Sequence, residues 1–187
     1  MSGLIWPHAE RKLATAATAA GLPYTLSTVA CQTPESIGPH VDGKGWFQLY
    51  APRAIDVRKD TLKRVRDAGF RTLVVTLDVP VASRRERQTR SGLTHPPALT
   101  PRLLAQIAMR PSWALGMARA GRPGMPLIAS YTQPKIGLPT TAHIGYLIRT
   151  APDWEYLHWI REAWDGPLVV KGVLQVEDVA GLKAAGV

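Results

Sequence analysis

The chain has 187 residues and a formal charge of +9, with 45% apolar and 20% charged residues, a composition that excludes wholesale disorder. Its single cysteine, Cys31, excludes an internal disulfide and an all-cysteine zinc site, and reads as a small, reduced, partly buried residue of a cytoplasmic protein. No apolar run approaches the roughly 18 residues that span a bilayer, and the N-terminus lacks the apolar core of a secretory signal.

In chain order, the alanine-rich stretch from Glu10 to Ala20, stopped by Gly21 and Pro23, predicts a helix. Tyr24 to Val29 is short and rich in β-formers, and predicts a strand. Thr33 and Pro34 suit the N-cap and first position of a short helix. Gly45 to Tyr50 predicts a second strand. From Asp56 to Ala68, Val57, Leu62, Val65 and Ala68 fall near one helical face, and Gly69 ends the helix. Thr72 to Asp78 predicts a third strand, whose continuously apolar middle suits burial on both faces.

Residues 82–141 break the pattern with many prolines, glycines and arginines. They hold candidate helices from Pro101 to Met109 and from Trp113 to Ala120, and are too long for an ordinary connector. Order resumes with a tryptophan-rich helix after Asp153, a fourth strand from Pro167 to Val173, and a helix from Gln175 to Ala185. Alternating strands and helices imply an α/β fold with a parallel sheet. No Gly-x-Gly-x-x-Gly follows the first strand and no phosphate-loop motif occurs, so dinucleotide-binding and P-loop folds have no fingerprint here.

All four strands end on polar residues: Ser27 and Thr28, Gln48 and Tyr50, Thr76 and Asp78, and Lys171. In parallel α/β barrels chemistry sits at strand C-terminal ends. Each residue has a bland alternative: Lys171 with its ammonium in water, Gln48 capping exposed backbone, Tyr50 in packing, Thr76 and Asp78 as loop entries. Four strands ending this way together favour a site. Lys171 suits an anion or electron-rich heteroatoms, and Gln48 offers both donor and acceptor to a heterocycle edge. The run Ser83 to Arg90 is basic, and an arginine there suits a substrate carboxylate. It has no interleaved aromatics, which argues against nucleic acid. The histidines His8, His40, His95, His143 and His158 show no metal spacing, and His158 reads as packing on its helix.

Five ordered stretches resemble the FMN-dependent 2-hydroxy acid dehydrogenase/oxidase family, which oxidises substrates such as lactate, mandelate and glycolate. They are Trp46 to Tyr50, Ala68 to Phe70, Val75 to Val81, Arg85 to Arg87, and Leu168 to Val173 followed by Glu177 and Asp178. The resemblance implies a partial TIM, or (β/α)8, barrel holding about strands 2–5 of 8, with a long loop after the third strand present. Residues 1–187 are then one partial barrel and residues 92–141 its variable excursion. It implies that Ser27, with Thr28 as the adjacent alternative, Gln48, Thr76 and Lys171 contact FMN, and that Tyr50 and Arg85 contact substrate, with Arg84 the weaker alternative to Arg85. Trp6 and Ala9 depart from the family's Gly-Leu-x-His-Pro-x-Gly-Glu segment, as do Ser83 and Gln88 from its usual glycine and aspartate.

The family's base histidine is expected beyond Val187, so the chain carries no catalytic residue of its own and is expected to be inactive alone. The implied reaction is oxidation of an L-2-hydroxy acid to the 2-oxo acid, with oxygen, a quinone or a cytochrome as second acceptor. No metal is expected. The full-length protein is expected to be a homo-oligomer, cytoplasmic, with a peripheral membrane contact through residues 92–141. The alternatives are another flavin TIM-barrel enzyme, such as an isomerase, and a non-catalytic remnant or binding module.

Overall fold

The fold is that of a computed structural model, which describes residues 2–79, 86–90, 100–121, 123–132 and 150–187. Four strands, β1 (Tyr24–Ser27), β2 (Gly45–Tyr50), β3 (Thr72–Thr76) and β4 (Leu168–Lys171), form one sheet in the order β1-β2-β3-β4. Every neighbouring pair is parallel. The helices are α1 (Ala9–Ala19), α2 (Pro34–Ile37), α3 (Ile55–Asp67), α4 (Glu86–Arg90), α5 (Pro101–Ala108), α6 (Pro111–Ala120), α7 (Pro126–Ala129), α8 (Trp154–Ala163) and α9 (Asp178–Ala184). Parallel strands need such crossovers because one strand's end lies a full strand length from the next one's start.

Register and period-two alternation divide the sheet into two faces. Leu26, Phe47, Leu49, Leu73, Val75 and Leu168 share one face and are buried. They form one core with Ala14 of α1, Leu62 and Val65 of α3, and Leu157 and Ile160 of α8. Phe47 meets Phe70 edge to face, with ring centroids 6.1 Å apart. All five residues of β3 are buried, as its apolar run implies.

Local chemistry sets the helix starts. Thr33 and Ser36 form a reciprocal capping box around Pro34, the Ser36 amide donating to Thr33 Oγ1 at 3.3 Å and the Thr33 amide to Ser36 Oγ at 3.1 Å. Asp153 Oδ1 accepts from the Tyr156 amide at 2.8 Å and caps α8. The buried stripe of α8 is Tyr156, Leu157 and Ile160, with Trp164 just past its end. His158 is exposed, which corrects its assignment to packing: it is 100° of helical turn beyond Leu157, off the stripe. Trp154 is also exposed, so the tryptophans alone did not mark the buried face.

The strands are shorter than the sequence implies. β1 stops at Ser27, β3 at Thr76 and β4 at Lys171; single backbone bonds from the Thr28 amide to the Gln48 carbonyl and from the Leu77 amide to the Lys171 carbonyl, both 2.9 Å, reach one residue past β1 and β3 before the chain turns into loops. α5 and α6 match the two helices expected between β3 and β4, and α4 and α7 were not expected. Residues 92–99, 122 and 133–141 of the expected excursion lie outside the described residues.

A polar cluster fastens this segment to α2 and α3. Arg64 of α3 donates through Nε to Glu35 Oε1 at 2.6 Å and through Nη1 to Ser130 Oγ at 3.0 Å and the Tyr131 hydroxyl at 3.2 Å. The Tyr131 hydroxyl donates in turn to Asp60 Oδ2 at 2.6 Å. Burial pushes the Glu35 carboxyl up, but hydrogen bonds from Arg64, its own amide and Thr33 outweigh it and hold the group at about 2, below its ordinary 4.5. The contribution of this pair to stability is therefore fully present above pH 4.5 and is lost as pH falls toward 2. Glu35 is half in water, so its worth is about 0.5 kcal/mol. Unfolding free energies of wild type and Glu35→Gln from urea titrations should differ by that amount at neutral pH and converge in the acid window.

Candidate active site

The face of the sheet opposite the helices is polar where the strands end. Ser27, Gln48 and Tyr50, Thr76, and Lys171 all lie on it. Ser27 pairs in register with Gln48, Tyr50 with Thr76, and Thr76 with Lys171. Because all four strands are parallel, these ends lie at one edge of the sheet. Ser27 Oγ donates to Gln48 Oε1 at 2.6 Å, and Gln48 Nε2 donates to Thr76 Oγ1 at 2.8 Å. The row is therefore a continuous hydrogen-bonded chain across three strands, which fixes the orientation of the Gln48 amide. Thr76 is buried, while Ser27, Gln48 and Tyr50 are half-buried.

The fourth strand adds charge. Lys171 Nζ donates to both Asp78 carboxylate oxygens at 3.0 Å. The Lys171 side chain is 56% exposed, so its ammonium is both hydrated and paired. Gly172 makes the pairing possible. It has φ +90, and a Cβ built there would lie 2.5 Å from Asp78 Cγ. A side chain at 172 would occupy the space that the carboxylate takes.

Thr28, the adjacent residue at the end of β1, is turned to the seam between β1 and β2. It is buried, its hydroxyl donates to the Gln48 carbonyl at 2.6 Å, and it accepts from the Tyr50 amide at 3.1 Å. Thr28 thus extends the β1–β2 pairing, and Ser27 carries the free face. Arg84 and Arg85 lie outside the described residues. Among the described histidines, His8 precedes α1, His40 meets Thr15 at 3.2 Å, and His158 is exposed on α8. No group of histidine, cysteine or acidic residues that could hold a metal occurs among the described residues. The sequence had no signal for the partner of Lys171 except that Asp78 follows Thr76 by two, and 93 residues separate the pair.

A parallel α/β sheet with a polar row at its strand ends is the architecture of a barrel-type enzyme. A profile of the FMN-dependent dehydrogenase family matches residues 1–187, and the chain belongs to that family. It is 38% identical over 182 residues to an L-lactate dehydrogenase of Pseudomonas aeruginosa (strain LESB58), covering 95% of this chain and 47% of that protein. An L-lactate dehydrogenase of Acinetobacter baylyi is 38% identical over 180 residues, with the same shares covered. Among solved structures, the monotopic membrane protein (S)-mandelate dehydrogenase matches with a TM-score of 0.87 at 30% identity, over 100% of this chain and 49% of that one. The fold is accordingly a partial (β/α)8 barrel, and the chain spans about half the length of the curated relatives it matches.

Gly172→Ala should be more damaging than Gly43→Ala. Both glycines have positive φ, at +90 and +67, but nothing lies within 4 Å of a Cβ at 43. Gly43→Ala should cost about 1 kcal/mol from the backbone alone. Gly172→Ala should cost roughly 1–2 kcal/mol more, because it also displaces Asp78 from Lys171. Urea denaturation of the two variants checks the difference.

Proposed function

We propose that residues 1–187 form one wall of the FMN site of an enzyme that oxidises an L-2-hydroxy acid, of lactate type, to the 2-oxo acid. The observation that carries this reading is the row Ser27–Gln48–Thr76, bounded by Lys171, on the open face at the strand ends. The donor set fits the group. After its two bonds in the row, the Gln48 amide retains one N–H and one acceptor lone pair. A neutral amide, two hydroxyls and one cation suit the edge of a flavin ring that gains negative charge on reduction.

Ser27, Gln48, Thr76 and Lys171 would hold the ring. FMN when bound supplies the two-electron acceptor. Gln48, locked by its neighbours, orients its free N–H and carbonyl lone pair toward the heterocycle. Lys171 brings positive charge to the same edge, and Asp78 fixes where that ammonium sits. Tyr50, in register with Thr76, presents its phenol beside the row for the substrate, and Arg85 supplies the guanidinium for the substrate carboxylate. Oxygen, a quinone or a cytochrome takes up the electrons afterwards. The chain alone does not turn over in this reading, because it supplies one wall and the proton-abstracting histidine belongs to the other half.

The segment between β3 and β4 supports a peripheral membrane contact. Leu104 of α5, Met109 at the C-terminal end of α5, and Leu115 of α6 are exposed. Residues 100–121 carry Arg102, Arg110 and Arg119 and no acidic residue, which suits an interfacial apolar surface with basic flanks. The similar (S)-mandelate dehydrogenase is a monotopic membrane protein, and no described helix of this chain is long and apolar enough to cross a membrane.

Two measurements test these readings. Residues 1–187 should be placed in an L-lactate dehydrogenase in exchange for its matching half. The chimera should retain FMN and reduce dye with L-lactate, whereas Lys171→Met in it should lower turnover by at least about tenfold. The 187-residue chain alone should show no L-lactate-dependent dye reduction. Stoichiometric FMN with turnover by the chain alone, or an FMN-loaded chimera inert toward L-lactate, would overturn the assignment. For the membrane contact, the chain should pellet with anionic vesicles, and Leu104→Asp with Leu115→Asp should abolish pelleting. Failure to pellet even with anionic lipid would sink it.

A further inference from the structure

The turn before α1 carries an exposed apolar pair that the polar row does not use. Ile5 is 76% exposed and Trp6 43% exposed. The first turns of α1 present Arg11, Lys12 and Leu13 to water. Lys12 Nζ lies 5.7 Å from the Trp6 ring centroid, so cation and indole share one surface. Glu10 is the only acid among residues 1–34, and it is 2% exposed. Its Oε1 accepts from the Cys31 amide at 3.0 Å, so its charge is turned inward. Glu35, the next acid in the chain, is paired with Arg64. The surface of this turn is therefore apolar and basic.

The turn adjoins α6. A Cβ at Gly116 would lie 3.2 Å from Pro7 Cγ, so α6 passes directly against the residue that follows Trp6. Pro7 and His8 also line one open cavity, of about 310 Å³, with Met117 and Ala120 of α6. Leu115, the neighbour of Gly116, is 51% exposed, and Arg119 one turn further on is exposed as well. Trp6 and Leu115 thus flank a single contact between turn and helix. Both elements stand at the end of the sheet where the strands finish. The segment holding α6 departs from the end of β3, and the Glu10 bond ties the start of α1 to the loop leaving β1.

We infer that Ile5, Trp6 and Lys12 form a second point of contact with an anionic bilayer surface, beside the one proposed for α5 and α6. The inference rests on that reading and adds to it an element about 100 residues away in the sequence. Interfacial attachment strengthens with the apolar area inserted and with the attraction of cations to anionic headgroups. The turn supplies both. An indole suits the headgroup level, with its ring in the apolar layer and its N–H toward water. A second copy of the chain meeting the same patch about a two-fold axis would set Lys12 and Arg11 against their own counterparts, so like charges oppose that occupant. Anionic lipid answers the charge and covers the apolar pair together.

The test is co-sedimentation of the chain with vesicles of phosphatidylcholine mixed with phosphatidylglycerol, and with phosphatidylcholine alone. Ile5→Ser combined with Trp6→Ser should lower the partition coefficient by at least about tenfold. Lys12→Gln should lower it about fivefold on the anionic vesicles and leave the neutral ones unchanged. All three side chains are exposed, so each variant should keep the wild-type Tm. A nitrobenzoxadiazole label on Ile5→Cys, in a Cys31→Ser background, should shift its emission to the blue when anionic vesicles are added. Wild type that does not pellet removes the membrane reading as a whole, and this inference with it. Wild type that pellets, with either undiminished pelleting of the Ile5/Trp6 variant or an unshifted label, overturns this inference alone and leaves the α5–α6 contact standing.

Discussion

The two-sided alternation of four in-register parallel strands is the constraint on which the rest depends. It sends Leu26, Phe47, Leu49, Leu73, Val75 and Leu168 to the face that the helices cover. It sends Ser27, Gln48, Tyr50, Thr76 and Lys171 to the other. A slip of one residue in any strand would exchange these sets, placing a lysine or a glutamine against α3 and a leucine in the row. The apolar core therefore enforces the geometry of the site. The several fully buried side chains on the helix face set the register, and the polar side chains on the opposite face inherit it without having to stabilise it themselves.

Most of the sheet was legible in the sequence because its signals are local. Gly45 to Tyr50 alternates, Leu73 to Val75 is apolar throughout, and Thr33-Pro34 announces a cap. What alternation cannot state is which residues of different strands touch. The bonds from Ser27 to Gln48 and from Gln48 to Thr76 span 21 and 28 residues. Each residue was visible as a polar strand end, but their union into one chain follows from register. The same limit hid the Arg64 cluster. His158 was misassigned to packing for a different reason. It lies on a tryptophan-rich helix, but the buried stripe of that helix runs through Tyr156, Leu157 and Ile160.

The Lys171 corner shows how charge is accommodated at the end of an apolar strand. Leu168, Val169 and Val170 lead to an ammonium that could not be buried unpaired without a large penalty. The strand ends there, the side chain reaches water, and Asp78 from the end of the adjacent strand meets it with both oxygens. Gly172 leaves the room for that carboxylate. Position, partner and the absent side chain act as one unit, so substitution at any of the three alters the field at the edge of the row.

The surplus positive charge follows the same division between the sheet and its excursion. On α3, Lys63 pairs with Asp67 at 2.5 Å and Arg64 with Glu35 at 2.6 Å, so two of its cations are locally answered. Residues 100–121 hold three arginines and no acid to answer them. The Arg64 cluster fixes the C-terminal side of this segment through Ser130 and Tyr131. Leu104 of α5 and Leu115 of α6 are exposed. Exposed apolar groups are costly in a purely aqueous setting, and apolar groups flanked by arginines suit an anionic interface. The net charge of +9 is thus best understood as local, with a share concentrated where an apolar surface is also left uncovered.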